Sequence, residues 1–245
     1  MNSAEQHPVV SREEWLAARQ QHLLHEKAFT RERDKLSAER RALPWVKIDK
    51  PYRFQGPNGV LSLADLFGGN SQLIVYHFMF GEGWDEGCPG CSFLSDHIDG
   101  ANQHLAHHDI ALVAVSHAPF EQFQAFKRRM GWQFEWVSSA GDDFNHDFGV
   151  LASAAEVAAG TATYNYEKTD GAEEELPGLS VFSRNPAGEI FHTYSTYARG
   201  LDLLVGAYNF LDLTPKGRNE EQIMEWVRHH DRYDAQPADK QCGCE

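Results

Sequence analysis

The chain has 245 residues, enough for one medium domain with extensions or two small ones, and its 42% hydrophobic content suffices for a packed core. A net charge of −14 argues against non-specific binding to nucleic acid or to an anionic membrane. No stretch approaches the roughly 20 apolar residues of a membrane span, and Met1 to Pro8 lack both the basic region and the apolar core of a signal peptide. The expectation is a cytoplasmic protein, where two close cysteines are catalytic, metal-binding or incidental rather than a permanent staple.

Residues 11 to 43 read as a helix. Ser11 with Glu14 three residues on is a capping-box pattern. Trp15, Leu16, Leu23, Leu24 and Ala28 recur at roughly helical spacing, and Pro44 ends the segment. This predicts an amphipathic arm packing on the domain or on a second subunit as a homodimer contact. Trp45 to Leu66 holds short strand-like pieces around the turn Gly56-Pro57-Asn58-Gly59. The apolar run 73–80 reads as a strand, 92–108 as a helix and 110–116 as a buried parallel strand. Phe120 to Met130 reads as a helix and Phe134 to Val137 as a strand. This β-α-β-α-β succession predicts a mixed, mostly parallel central sheet with helices on both faces.

Residues 139 to 176 read as an irregular insertion. Leu179 to Arg184 and Glu189 to Tyr194 form a hairpin about Asn185-Pro186-Ala187-Gly188. Leu201 to Leu211 and Glu220 to Tyr233 read as helices, and the last dozen residues as a disordered tail. The expected organisation is an arm at 1–44, a domain at 45–218 and a C-terminal helix with a tail at 219–245.

Cys88-Pro89-Gly90-Cys91 follows the strand 73–80 after a Gly-containing loop and opens a helix. Strand, loop, CxxC and helix together suit dithiol redox chemistry: the helix N-terminus stabilises a thiolate, and cysteines at this spacing close a small disulfide ring. Cys88, at the helix start, is the expected nucleophile. Cys91, one turn in and more buried, is the expected resolving thiol. Pro89 fixes φ and removes a competing N–H, and Gly90 is expected with it as active-site support. Asp85 and Glu86 oppose thiolate formation by their charge, which predicts a reductant-like dithiol. No cofactor is required.

The order of elements resembles the thioredoxin fold. Pro177 lies five residues before Phe182 and Gly188-Glu189 follows, as the cis-proline of thioredoxins precedes its strand and turn. The resemblance covers roughly residues 60 to 212. More closely, the chain resembles a bacterial thioredoxin-like family catalogued as a domain of unknown function. That likeness rests on Tyr76-His77-Phe78-Met79-Phe80, Gly87 to Phe93, Phe191 to Gly200, Leu211 to Arg218 and Trp226-Val227-Arg228. It implies a thioredoxin-like fold and a presumed dithiol–disulfide activity, without a substrate.

The resemblance places His77 behind the CxxC, where a neutral imidazole would accept the Cys91 proton; the alternative is a core histidine. A cis Pro177 would offer neighbouring backbone to a bound peptide or thiol. Tyr194, Tyr197 and Arg199 are candidates for a substrate rim, with Arg199 favouring the Cys88 thiolate; core tyrosines are the alternative. His104 and His108 sit four apart but lack a second ligand pair, so no metal site is assigned. Cys242 and Cys244 form a second dithiol in the tail that either passes electrons to the first, binds a soft metal or has no role.

The expected partners are a disulfide-bearing protein or small thiol as substrate, and an upstream dithiol reductant. The segment Leu61 to Phe67 and the strand after it also look like the start of a peroxiredoxin. The Pro and Thr that peroxiredoxins place seven and three residues before the reactive cysteine are Gly81 and Asp85 here, which ranks thiol peroxidase second. A soft-metal module or a non-catalytic interaction module on the same fold is the remaining alternative.

Overall fold

The computed structural model describes residues 7–169 and 175–233. The sequence forms a helix α1 (Arg12–Arg41), strands β1 (Val46–Lys47), β2 (Arg53–Gly56) and β3 (Gly59–Ser62), and a short helix α2 (Leu63–Leu66). Then come β4 (Gln72–His77), α3 (Pro89–Ser95), α4 (Ile98–His107), β5 (Ile110–Ser116), α5 (Phe120–Arg129) and β6 (Glu135–Ser138). The insertion supplies α6 (Phe144–Asp147), α7 (Ala154–Ala159), β7 (Thr163–Tyr164) and β8 (Glu167–Lys168). The chain closes with β9 (Gly178–Arg184), β10 (Ile190–Tyr197), a 3-10 segment (Ala198–Leu204), α8 (Gly206–Leu211) and a 3-10 turn (His230–Arg232).

Eight strands make one mixed sheet in the order β1-β10-β9-β4-β5-β6-β2-β3. The uninterrupted apolar runs of β4 and β5 pair in parallel, Leu73 with Ala111 through His77 with Val115, and β6 continues the parallel set. The hairpin β9–β10 adds antiparallel to the other side of β4, setting Gly178 opposite His77. Pro177 therefore stands level with the chain leaving β4 toward the CPGC. A strand followed by its CxxC helix, a parallel neighbour on one side and an antiparallel hairpin on the other is the thioredoxin-like arrangement.

Alternation along β4 divides the interior. Tyr76 and Phe78 face a core under α3, α4 and α5 that includes Phe80, Cys91, Phe123, Phe126 and Trp136. Val75 faces the opposite core, with Phe54, Phe67, Phe144 and Phe182. Phe78 and Phe123 lie with ring centroids 4.4 and 4.5 Å from that of Trp136, so the strand end that carries the CPGC loop rests on a dense aromatic cluster.

Several elements differ from expectation. α1 carries the predicted capping box but buries no residue, and it meets the domain near its C-terminal end, where the Arg40 guanidinium lies over the Tyr194 ring. The helix after the CPGC begins at Pro89 and breaks at Asp96-His97, where the His97 ring bonds the Phe93 carbonyl and the Ala207 N–H. The insertion contains two short helices and a hairpin rather than irregular chain. No C-terminal helix forms among residues 219–233 apart from the 3-10 turn. Asn219 and Met224 take positive φ, and the Glu220 carboxylate accepts bonds from Tyr208, the Met224 N–H and Trp226, which holds the backbone in turns. No described helix is long and apolar enough to cross a membrane.

Candidate active site

The loop from β4 to α3 is fixed from several sides. The Cys88 N–H donates to the Met79 carbonyl at 3.3 Å, and Gln122 of α5 donates to the carbonyls of Gly81 and Trp84. A Cβ at Gly87 would come within 2.6 Å of Phe78 and 2.8 Å of Phe126, so only glycine lets the loop cross the aromatic cluster. His229 donates from Nε2 to the Gly87 carbonyl at 2.9 Å, and its Nδ1 accepts from Arg129. Arg129 also bonds Glu86 and both oxygens of Asp231. The C-terminal segment is thereby clamped across the loop, with the Met224 sulfur over Gly90, where a Cβ would approach it to 2.9 Å.

Cys88 is the N-cap of α3, with Pro89 at the first helical position. Its sulfur accepts the Cys91 N–H at 3.5 Å. Both cysteines are free, Cys88 half-buried and Cys91 only 3% exposed. A hydrogen bond from the Cys91 side chain lowers the Cys88 pKa to about 6; burial opposes this, and the N–H groups of Cys91 and Gly90 assist it. Burial and the neighbouring Cys88 sulfur push Cys91 far above the ordinary thiol range, while the Tyr76 hydroxyl partly offsets them. The pair is thus asymmetric: an accessible thiolate beside a buried thiol that donates to it.

The acidic doublet before Cys88 weighs less than expected. Burial pushes the Glu86 carboxyl up, but Arg232 and Arg129 more than offset it and hold it below the usual carboxylate range. With Glu86 engaged by two arginines, its charge does not set the Cys88 thiol.

A cavity of about 230 Å³ opens beside the pair. Tyr76, Leu94, Leu201, Val205, Ile223 and Met224 give it an apolar lining, with Pro177 on one side and Arg199 and Asp202 also lining it.

Two expectations are corrected. His77 is not behind the cysteines. It is fully buried on the opposite face of β4, stacked on Phe144 and Phe148, with Nε2 2.9 Å from the Ser180 hydroxyl. Burial, with the charge of His192, lowers its pKa to about 3, so it is a neutral core histidine. The β4 residue that reaches Cys91 is Tyr76, one position earlier. Pro177 does line the cavity, but its peptide bond is trans, there being no cis bond among the described residues.

Of the expected rim, only Arg199 lines the cavity, and its side chain is 69% exposed and paired with Asp202. It is not among the groups that lower Cys88. Tyr194 lies away from the cysteines under Arg40 of α1, 4.9 Å from ring centroid to guanidinium. Tyr197 is buried, its hydroxyl donating to the Phe148 carbonyl at 2.7 Å. Cys242 and Cys244 lie outside the described residues. Among the described residues no three His, Cys, Asp or Glu side chains cluster as a metal site would require.

The residues missed in the sequence are Tyr76, Met224 and Tyr164. Tyr164, in the insertion, donates from its hydroxyl to the Pro177 carbonyl at 2.6 Å and accepts the Ala198 N–H at 3.0 Å. Strand parity would have identified Tyr76; the other two depend on long-range folding.

The sequence matches the model of a family described as bacterial proteins of unknown function, DUF899, over residues 4–233. The chain belongs to that family. No curated protein matches it. Among solved structures it is similar to a cysteine mutant of Xylella fastidiosa PrxQ, at 12% identity over 65% of this chain and 88% of that one, with a TM-score of 0.42. A cysteine mutant of Xanthomonas campestris peroxiredoxin Q gives 15% identity over 64% and 90%, also with a TM-score of 0.42. Peroxidoxin BcpB from Mycobacterium tuberculosis gives 10% over 66% and 93%, with a TM-score of 0.39.

Proposed function

We propose that this member of the family is a thiol–disulfide oxidoreductase of a reducing, cytoplasmic compartment. Cys88 is the nucleophile and Cys91 the resolving thiol. The observation that carries the reading is the contact in which a Cys91 N–H faces the Cys88 sulfur at a helix N-cap. That contact, with the two thiols held far apart in acidity, suits attack by Cys88 on a substrate disulfide. Cys91 then attacks the Cys88 sulfur and expels the second half of the substrate. Tyr76 favours the Cys91 thiolate during this step. An upstream dithiol re-reduces the pair.

Gly81 and Asp85 stand where a peroxide-binding Pro and Thr would be, which keeps thiol peroxidase second. The proposal extends to α1 as a self-association element, because Trp15, Leu24, Phe29 and Leu36 are all exposed along it.

Equilibration in dithiothreitol redox buffers followed by acid quenching tests the reading. The wild type is expected to lose two hydrogens as Cys88 and Cys91 join, and to reduce disulfides catalytically; Cys88→Ser and Cys91→Ser each abolish turnover. Consumption of peroxide with no disulfide reduction would favour the second reading.

A further inference from the structure

The thiol chemistry proposed above leaves open what reaches Cys88, and the surroundings of Pro177 bear on it. A polypeptide substrate adds to a thioredoxin-like site as a short strand, bonding backbone groups beside this proline. Here two of those groups, the Leu176 N–H and the Pro177 carbonyl, are engaged within the chain. The Leu176 N–H donates to the Val150 carbonyl at 2.6 Å. The Pro177 carbonyl accepts the Tyr164 hydroxyl, which also takes the Ala198 N–H. From Gly178 onward β9 is flanked by β4 and β10, so it has no open edge. Val150 and Tyr164 both belong to the described part of the 139–176 insertion, and they take bonds that a peptide would make.

What remains open is the cavity beside the sulfurs. At about 230 Å³ it is smaller than the roughly 300–1,000 Å³ clefts that hold drug-sized ligands. Its walls come from five separate parts of the chain: Tyr76 from β4, Leu94 from α3, Pro177 just before β9, Leu201 and Val205 from around the 3-10 segment Ala198–Leu204, and Ile223 and Met224 from the clamped C-terminal segment. Arg199 and Asp202 are paired with each other, and Asp202 also bonds Arg218, so the two lining charges are already satisfied. A space of this kind favours short aliphatic groups over zwitterionic or multiply charged ones, because the latter would lose hydration without gaining partners.

We propose that the substrate is a low-molecular-weight disulfide with short apolar substituents, and that the insertion excludes polypeptide disulfides. This rests on the dithiol reading of Cys88 and Cys91. The Cys88 thiolate attacks one sulfur of R–S–S–R. A Cys88–S–S–R bond forms, the R–S–S–R bond breaks and R–S⁻ leaves. Cys91 then attacks the Cys88 sulfur, the mixed disulfide breaks and the second R–S⁻ leaves. The Cys91 proton and one from water give two R–SH. The protein is oxidised by two electrons to the Cys88–Cys91 disulfide and the substrate reduced by two, and a small dithiol restores the pair.

The test is stopped-flow oxidation of the reduced full chain by dipropyl disulfide, oxidised glutathione and insulin. Each rate is divided by that of dithiothreitol with the same disulfide, which cancels differences in leaving-group acidity. The expected result is a normalised rate for dipropyl disulfide about tenfold or more above the other two, a preference equivalent to about 1.4 kcal/mol. Leu201→Gln should lower the dipropyl rate toward the glutathione rate, each rate being taken relative to that variant's own Cys88 alkylation by iodoacetamide. Insulin or glutathione disulfide matching or exceeding dipropyl disulfide would overturn the substrate class and leave the dithiol reading intact. Failure of all three to oxidise the pair would overturn both. The wild-type comparison stands even if the Leu201 variant does not fold.

Discussion

The backbone N–H of Cys91 is directed at the Cys88 sulfur 3.5 Å away, while the Cys91 side chain also donates to it. One residue thereby stabilises its partner's thiolate twice over and keeps its own proton. A nucleophile and a delayed second nucleophile are separated by a single helical turn.

The first consequence concerns acidity. Cys88 should alkylate with a midpoint near pH 6, and Cys91→Ala should move that midpoint upward by removing the largest stabilising contact. The folded pKa is depressed, so the thiolate's contribution to stability is present above the unfolded value near 9 and is lost as pH falls through about 6. Melting of reduced wild type and Cys88→Ser across this window should show a rise with pH in the first that the second lacks.

Tyr76 should act on the second step only. Tyr76→Phe removes a hydroxyl that favours the Cys91 thiolate. Hydrogen bonds to charged groups contribute about 1.5–3 kcal/mol, so release from a Cys88 mixed disulfide should slow by about tenfold or more. Alkylation of Cys88 should change little. Single-turnover mixing resolves the two steps, and equal slowing of both would remove the assigned role.

His77 should be silent in catalysis. Its folded pKa is lowered to about 3, so below its usual 6.5 the unfolded chain binds a proton that the folded chain refuses. Its contribution is therefore lost as pH falls from about 6.5 toward 3. His77→Leu should flatten that acid limb and leave the pH profile of Cys88 alkylation unchanged. A shifted alkylation profile would restore the proton-acceptor role that its position argues against.

Glu175 has the opposite sign. Burial raises its pKa to about 8, although the N–H groups of Phe80 and His117 and the Asn145 amide pull the other way. Between about 4.5 and 8 the folded chain holds a proton the unfolded chain has lost, so stability declines as pH rises through this range. Glu175→Gln should remove that decline in urea titrations. An unchanged slope would contradict the assignment.

How far the sequence reached follows from where each feature's causes lie. The CPGC, its strand and its helix start were legible because a contiguous stretch holds the whole signal. The capping box of α1 was legible for the same reason. His77 was misplaced because strand parity turns on one residue, and the aromatic run on both sides of it concealed which face met the cysteines. Pro177 was found by spacing, but its trans bond and the Tyr164 hydroxyl on its carbonyl depend on an insertion whose hairpin had no sequence periodicity to mark it. The segment 220–233 had helical composition. There the Glu220 carboxylate and the Arg129–His229 contacts draw the chain across the CPGC loop, and tertiary bonding overrides propensity.

The central claim is exchange through Cys88 with resolution by Cys91, and trapping tests it most directly. Reduced Cys91→Ser protein is mixed with a disulfide substrate, quenched in acid and analysed by peptide mass. The account predicts a stable adduct confined to Cys88 that is absent from wild type, where Cys91 has released it. No adduct, with Cys88 freely alkylated by iodoacetamide in the same sample, would contradict it.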